Sequence, residues 1–576
     1  MKRQWMNLWR NCLVGVVALP VLMANGVTFP KAGGDISSSV DWEGPVPGSA
    51  DSVVFDKDGT YVAATGDVTF SNVTFSAKSA TFDLSATPTR TISYVGKTEY
   101  KDFYFVNGGV TVFKGGHWKS TKKTGVASLG YKASNSGNTV ILDGADLSDI
   151  HTFYVGYSKS TDGRLVLTNA ASLVSTVFNI SHGDGKNNRV EVHSGSTLTT
   201  GTLQSDVSGS SGEGLGYNSL LVKGKRASVS TEKLVVGAIR GHNTVAIEDG
   251  GLITVSDNSG VVIGSGTSCD NRLVVSNATL TLSNDNGSIL IGKDAGSGRN
   301  SFCMVGSESK LDIKGTAVGN QGFPFKAGSN NSFELRQGAA FALSGVSLTF
   351  SPNAFSNAVR LTSGARLSCK HEYLSSAVAG GWGNAIEIGV GATNDITGRL
   401  IAYSHDNRVV LSNGVFRTTS ANRAALALGE TTSEGIAAGV STTNNVLRFE
   451  GETPSVKLVT NGAGVSLKNG SRLEFALPPG GYQSSHVPIQ ATYCDLDESC
   501  SIVIDATMLD NVSHGRLNMT LCETTGTPSY PKTVMDRANA SLPEGMVLSY
   551  AEDKAAGVWR LKLSAKGNGG LMLLLR

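Results

Sequence analysis

Apolar and polar residues alternate along most of this chain in short bursts, and the bursts return at a nearly regular interval. Three consecutive ones read NTVAIEDGGLITV from Asn243, NRLVVSNATLTL from Asn271 and NSFCMVGSESKLDI from Asn300. With the leading residue as position zero, related runs start at Asn138, Gly163, Asn188, Asn218, Asn243, Asn271, Asn300, Asn331, Asn357, Asn384, Asn407 and Asn445. Positions +2 and +4 are apolar in every copy, from Val140 and Leu142 through Val245 and Ile247, Leu273 and Val275, and Phe302 and Met304 to Leu447 and Phe449. A period of two marks a strand with one buried face. At +6 or +7 stands Gly or Asn, as at Gly144, Asn169, Gly250, Asn277 and Asn413. These residues tolerate positive φ and predict a corner. More apolar residues follow the corner. Many copies then close on a third run ending in Gly: FYVG at Phe153, LVVG at Leu234, VVIG at Val261, ILIG at Ile289 and LALG at Leu426.

Three short strands per repeat of about 28 residues describe a coil that stacks on itself. A propeller blade needs four strands in about 40 residues, and a leucine-rich repeat needs a helical side, so both are excluded. The expected fold is all-β: a right-handed parallel β-helix, its hand following from the handedness of parallel connections. Its +2 and +4 residues stack inward, each coil burying its face only against its neighbours. The recurring Asn is expected at a corner, where its amide can bond to the coils above and below as in other stacked strands.

The pattern weakens toward both ends. Residues 51–479 are assigned to the β-helix. Residues 25–50, with Trp42 and two prolines in DWEGPVPGSAD, are assigned to an N-terminal cap, and 480–576 to a small C-terminal β-rich cap. Such caps cover strand edges that a solenoid otherwise exposes. Residues 1–24 read as a signal peptide: Lys2, Arg3 and Arg10 precede an apolar run from Cys12 to Met23, and Ala24 follows. That run is too short to span a bilayer, so cleavage near Asn25 and export to the cell surface, the extracellular space or the periplasm are expected. No transmembrane segment is expected in the mature chain.

Composition narrows the partners. Of 576 residues 17% are charged and 40% hydrophobic, with 70 Gly and a net charge of +2, which suits a folded chain and offers no footing for nucleic acid. Outside the leader stand six cysteines, Cys269, Cys303, Cys369, Cys494, Cys500 and Cys522. Cys494 and Cys500 in CDLDESC make the most plausible local disulfide in an exported chain.

The N-x-apolar-x-apolar run with its Gly or Asn corner, followed by [LV]-x-[VI]-G, resembles the autotransporter-associated β-helix repeat of bacterial surface and secreted proteins over roughly residues 50 to 475. The resemblance implies a passenger-like exported solenoid used in display, adhesion or matrix building. The residues after Gly480 hold too few alternating strands for the translocator barrel that a complete autotransporter carries.

Candidate chemistry is sparse. Secreted β-helices include polysaccharide lyases and hydrolases, and glycoside hydrolysis needs two carboxylates flanking the bond. The outward positions of the first strand carry Asp143, Glu191, Glu248, Glu334, Glu387 and Glu450, and no two of these fall on adjacent repeats. Arg164 and Arg189 stand on adjacent repeats and offer a site for an acidic sugar, or simply a soluble face. Asp495 and Asp497 are too few for calcium, and the histidines are scattered with no metalloprotease or hydrolase motif. No catalytic, cofactor-binding or metal-ligating residue is assigned and no cofactor is expected. The expected function is a structural or adhesive solenoid that contacts glycans or surface proteins without catalysis. The alternative is a polysaccharide-degrading enzyme with its cleft built by long flank loops such as Gln204 to Tyr217.

Overall fold

The computed structural model describes residues 27–565, apart from 96–102, 122–124, 132, 208–215, 259, 285–287, 314–322, 344–346, 376–380, 431–440, 459, 484 and 510–516. The leader assigned to 1–24 lies outside the described residues, as does most of the loop between Gln204 and Tyr217.

The chain forms a parallel β-solenoid of about 16 turns. The Asn-led strands stack into one ladder in which equivalent positions face each other coil after coil. Val245 pairs with Leu273, Leu273 with Phe302, Phe302 with Phe333 and Phe333 with Val359. The +4 residues run in the same order, Ile247 to Val275 to Met304 to Leu335. All of these side chains are buried in a single core that runs the length of the molecule. Period-two apolarity thus fixes which face turns inward, and the repeat interval fixes the register. Each fully buried Leu, Val or Phe contributes about 1.5–3 kcal/mol relative to exposure, which offsets the ordering of the polar loops between strands.

The rest of each coil belongs to a 24-stranded sheet, joined in the C-terminal half by a nine-stranded one. In the N-terminal half, long strands such as Ser172–Ile180, Thr197–Ser205 and Ser228–Val236 supply two walls at once by bending. Buried hydroxyls sit at the bend: Ser175 Oγ donates to Thr200 Oγ1 at 3.2 Å, and Thr231 Oγ1 to the Gly201 carbonyl at 3.1 Å. From Ala340 onward the walls separate into the two sheets.

Core filling changes along the axis. The N-terminal coils are aromatic, with Phe75 stacked on Phe105 at 4.7 Å and Phe113 edge-on to Trp118 at 4.5 Å. The coils led by Asn188 to Asn271 are aliphatic, and rings return with Phe302 stacked on Phe333 at 5.3 Å.

Both ends differ from the boundaries expected from the sequence. Val27–Thr28 already pairs in parallel with Val53–Val54, so the N-terminal segment is itself a coil. Trp42 closes it, edge-on to Phe29 at 4.6 Å with its Nε1 donating to the Ile36 carbonyl at 2.8 Å. At the other end, parallel coiling continues past 479, for Ser501–Asp505 pairs with Arg472–Ala476 and Tyr493–Leu496 with Gly464–Leu467. In these last coils the ladder position is held by Ser471 and Cys500 instead of Asn, which is why the repeat fades from the sequence there. The closing element is the antiparallel set of Asn518–Thr524, Val558–Ala565 and Met546–Asp553, joined by one helix, Lys532–Ala540.

Candidate functional site

The Asn-led strands present a broad outer face where the charged residues assigned from the sequence lie. Arg164 and Arg189 are indeed on adjacent coils in register, but they converge on Glu191. Arg164 Nε lies 2.7 Å and Arg189 Nε 2.9 Å from Glu191 Oε1, and His193 Nε2 lies 3.0 Å from Oε2. Burial pushes the Glu191 carboxyl up, but the bonds from Arg164 and His193 and the neighbouring charges outweigh it and hold the group below the ordinary range. The two arginines therefore form a closed cluster in place of an open anion site.

The other outward carboxylates are engaged in the same way. Asn169 Nδ2 donates to Asp143 at 2.5 Å, and Lys223 pairs with Glu248 at 3.2 Å. Arg360 links Glu334 at 3.7 Å to Glu387 at 2.8 Å, with Arg336 also on Glu334. Glu450 binds Arg448, whose Nη1 reaches Glu474 at 3.1 Å. Glu474 belongs to the Ser471-led coil, which sequence reasoning missed, so Glu450 and Glu474 do stand on adjacent coils. Arg448 lies between them and bonds both, so the two carboxylates are tied into one ion-pair network.

Asp495 is held by Arg423 at 2.6 and 3.2 Å, and Asp497 accepts the Asn469 amide at 2.7 Å. Among the described residues no three His, Cys, Asp or Glu side chains come together as a metal site. Cys494 and Cys500 are free buried thiols in the structure and are not joined to each other. Cys500 sits in the ladder column, its N–H on Asp497 at 3.2 Å.

Two features escaped the sequence. The first is an aromatic edge, along the corner that leads into each ladder Asn. Tyr131 stacks on Tyr157 at 5.2 Å and Tyr157 on His182 at 4.7 Å, one ring per coil. Further along, Trp382 stacks on His405 at 5.5 Å beside Phe355, and Tyr217 lies over His242 at 5.0 Å. Trp382 is 42% exposed and Tyr217 48%. These aromatics recur at a spacing of one coil, a signal hidden by the loop-length differences around them.

The second is a groove of about 490 Å³ near the C-terminal end, where the corners of the Asn384- and Asn407-led coils face later loops. Asn413, Glu452, Lys457, His486 and Gln490 line it beside the exposed Val390. Asn413 Oδ1 accepts the Thr453 amide at 2.7 Å, and His486 Nε2 donates to the Pro454 carbonyl at 2.8 Å. Burial pulls the His486 pKa down. The groove is lined by polar and apolar groups alike, open on one side and of a size for one or two sugar rings or a short peptide.

No known family model, curated protein or solved structure matches the chain.

Proposed function

We propose that this protein is an exported β-solenoid with a structural or adhesive role, contacting glycans or neighbouring surface proteins along its aromatic edge without catalysis. The observation that carries this is the pairing of an outer face whose carboxylates are all bonded with exposed aromatic rings on one edge. Ion pairs and hydrogen bonds hold the carboxylates of the face, while Trp382 and Tyr217 keep apolar ring surface in water, where sugar C–H groups or apolar side chains can cover it. The leader-like residues 1–24 support export, and the Asn-led repeat supports kinship with the passengers of autotransporter-associated proteins.

The groove near Glu452 favours one second reading, a polysaccharide lyase or hydrolase, since it is a concave site with an exposed carboxylate. A panel of polysaccharides offered to the purified mature protein separates the two, with retention and reducing-end release recorded together. Binding without release is the expected result. Turnover of any glycan overturns the structural reading in favour of the enzyme.

A further inference from the structure

The last coil and the closing sheet meet at a cluster of sulfur and phenol groups. Cys494 lies on the Tyr493–Leu496 strand of the coil wall, and Cys522 on Asn518–Thr524, which is both the last parallel strand and the first strand of the antiparallel cap. Both thiols point into the shared core, at 0% and 1% exposure. Their side chains lie within hydrogen-bonding reach of each other, and the buried Tyr530 phenol faces both sulfurs. No other cysteine pair among the described residues is brought together in this way, and Cys500 is turned toward Asp497.

We propose that Cys494 and Cys522 form a disulfide that staples the closing sheet to the final coil. Each strand is fixed independently. Val465 pairs with Cys494 in one wall and Ile489 with Cys522 in another, and both side chains enter the same buried core. The chemistry balances with a disulfide oxidant, either a disulfide-bearing oxidoreductase or glutathione disulfide. One thiolate attacks the oxidant to give a mixed disulfide, and the second thiolate displaces the oxidant's remaining sulfur. The two cysteines thus lose two protons and two electrons, and the oxidant leaves as two thiols. Burial raises the Cys522 thiol well above its ordinary range, so the folded thiol is a poor nucleophile and the exchange belongs to the stage before the cap docks. The staple closes the end of a one-dimensional stack, where fraying begins and where an uncovered edge would recruit other strands.

The test is to reduce and unfold the full chain, refold it in a glutathione redox buffer, block free thiols and map peptides without reductant. A Cys494–Cys522 linked peptide is expected. Linkage of Cys494 to Cys500, or alkylation of both Cys494 and Cys522, overturns the proposal. Thiol counts under denaturant give a second reading. C494S and C522S should each expose two more free thiols than the C500S variant, which keeps the bond, and one more than wild type. Equal counts in all three sink the assignment. Where a variant does not fold, the wild-type map decides. The outcome is independent of the glycan panel, because the bond is formed and read in a defined buffer.

Discussion

The backbone N–H of Asn271 donates to Oδ1 of Asn300 on the next coil at 3.0 Å, and Nδ2 of Asn271 donates to the same oxygen at 2.9 Å. One amide oxygen thus satisfies two donors from the coil before it. The arrangement repeats at Asn218 to Asn243, Asn243 to Asn271, Asn300 to Asn331 and Asn407 to Asn445. All of these Asn residues are buried, so their amides have no access to water. The residue before each ladder Asn lies in the left-handed region whatever its type, including Tyr217 at φ 49°, His242 at 61° and Arg299 at 53°. The ladder captures the N–H that follows this strained residue, which explains how bulky side chains are tolerated there.

Replacing Asn271 by Ala should therefore cost about 1–3 kcal/mol, because the Asn243 N–H is left buried and unpaired. Urea unfolding of wild type and variant measures it. A loss below about 0.5 kcal/mol would mean that the Asn merely suits its turn.

The Gly that ends the third run has its reason in the same ladder. A Cβ added at Gly264, whose φ is +79°, would lie 2.2 Å from Asn300 Nδ2. Gly264→Ala is expected to destabilise by about 1–3 kcal/mol through backbone strain and clash. In combination with Asn300→Ala the loss should be less than the sum, since the truncated side chain no longer collides. Strict additivity in a double-mutant cycle would show that the two positions are not in contact.

Glu372 gives a pH dependence. It is buried inside the solenoid with Asn394 Nδ2 at 2.9 Å from both carboxyl oxygens, and its pKa is pushed up to about 7 by burial. Asn394 Oδ1 is buried without a partner, so turning the amide over would let a protonated Glu372 donate to it. Because the folded pKa is raised above the ordinary glutamate value of 4.5, this group's contribution to stability is fully present below about pH 4.5. It is lost as pH rises through about 7, with a ceiling on the order of 3 kcal/mol. Glu372→Gln should flatten the unfolding free energy between pH 5 and 8 relative to wild type. Parallel pH curves for the two proteins would contradict the assignment.

The Arg164–Glu191–Arg189 cluster predicts how this face behaves toward polyanions. Wild type should show little retention on a sulfated polysaccharide column through this patch, since Glu191 already holds both guanidinium groups. Glu191→Gln should release them and raise the salt needed for elution. Unchanged elution would mean that the arginines were never restrained by Glu191.

The solenoid was legible because its determinants are local and repeated. Val245, Leu273 and Phe302 name the inward face, and each Gly or Asn corner named from the sequence adopts positive φ, as at Gly144 (64°) and Asn413 (57°). The ends were less legible, since Ser471 and Cys500 replace Asn in the ladder while keeping the backbone path. Side-chain partners were legible least. That Arg164 and Arg189 both turn to Glu191, or that Cys494 approaches Cys522 rather than Cys500, depends on rotamers and wall spacing that no repeat pattern encodes.

The aromatic edge makes the last prediction. Trp382 contributes its side chain to solvent at 42% exposure while its carbonyl accepts the Ser356 N–H at 3.0 Å, a backbone bond that truncation leaves in place. Its ring lies between Phe355 and His405, so it is held in one orientation and loses little freedom when a partner covers it. Trp382→Ala should leave the unfolding free energy within about 0.5 kcal/mol of wild type, as for other surface changes. For any glycan or surface protein the solenoid retains through this edge, affinity should fall by roughly tenfold, about 1.4 kcal/mol. Lys457→Ala in the groove separates the two surfaces. If contact runs along the aromatic edge, the Lys457 variant binds as wild type does, whereas loss of binding in that variant alone would move the contact to the groove and strengthen the enzymatic alternative.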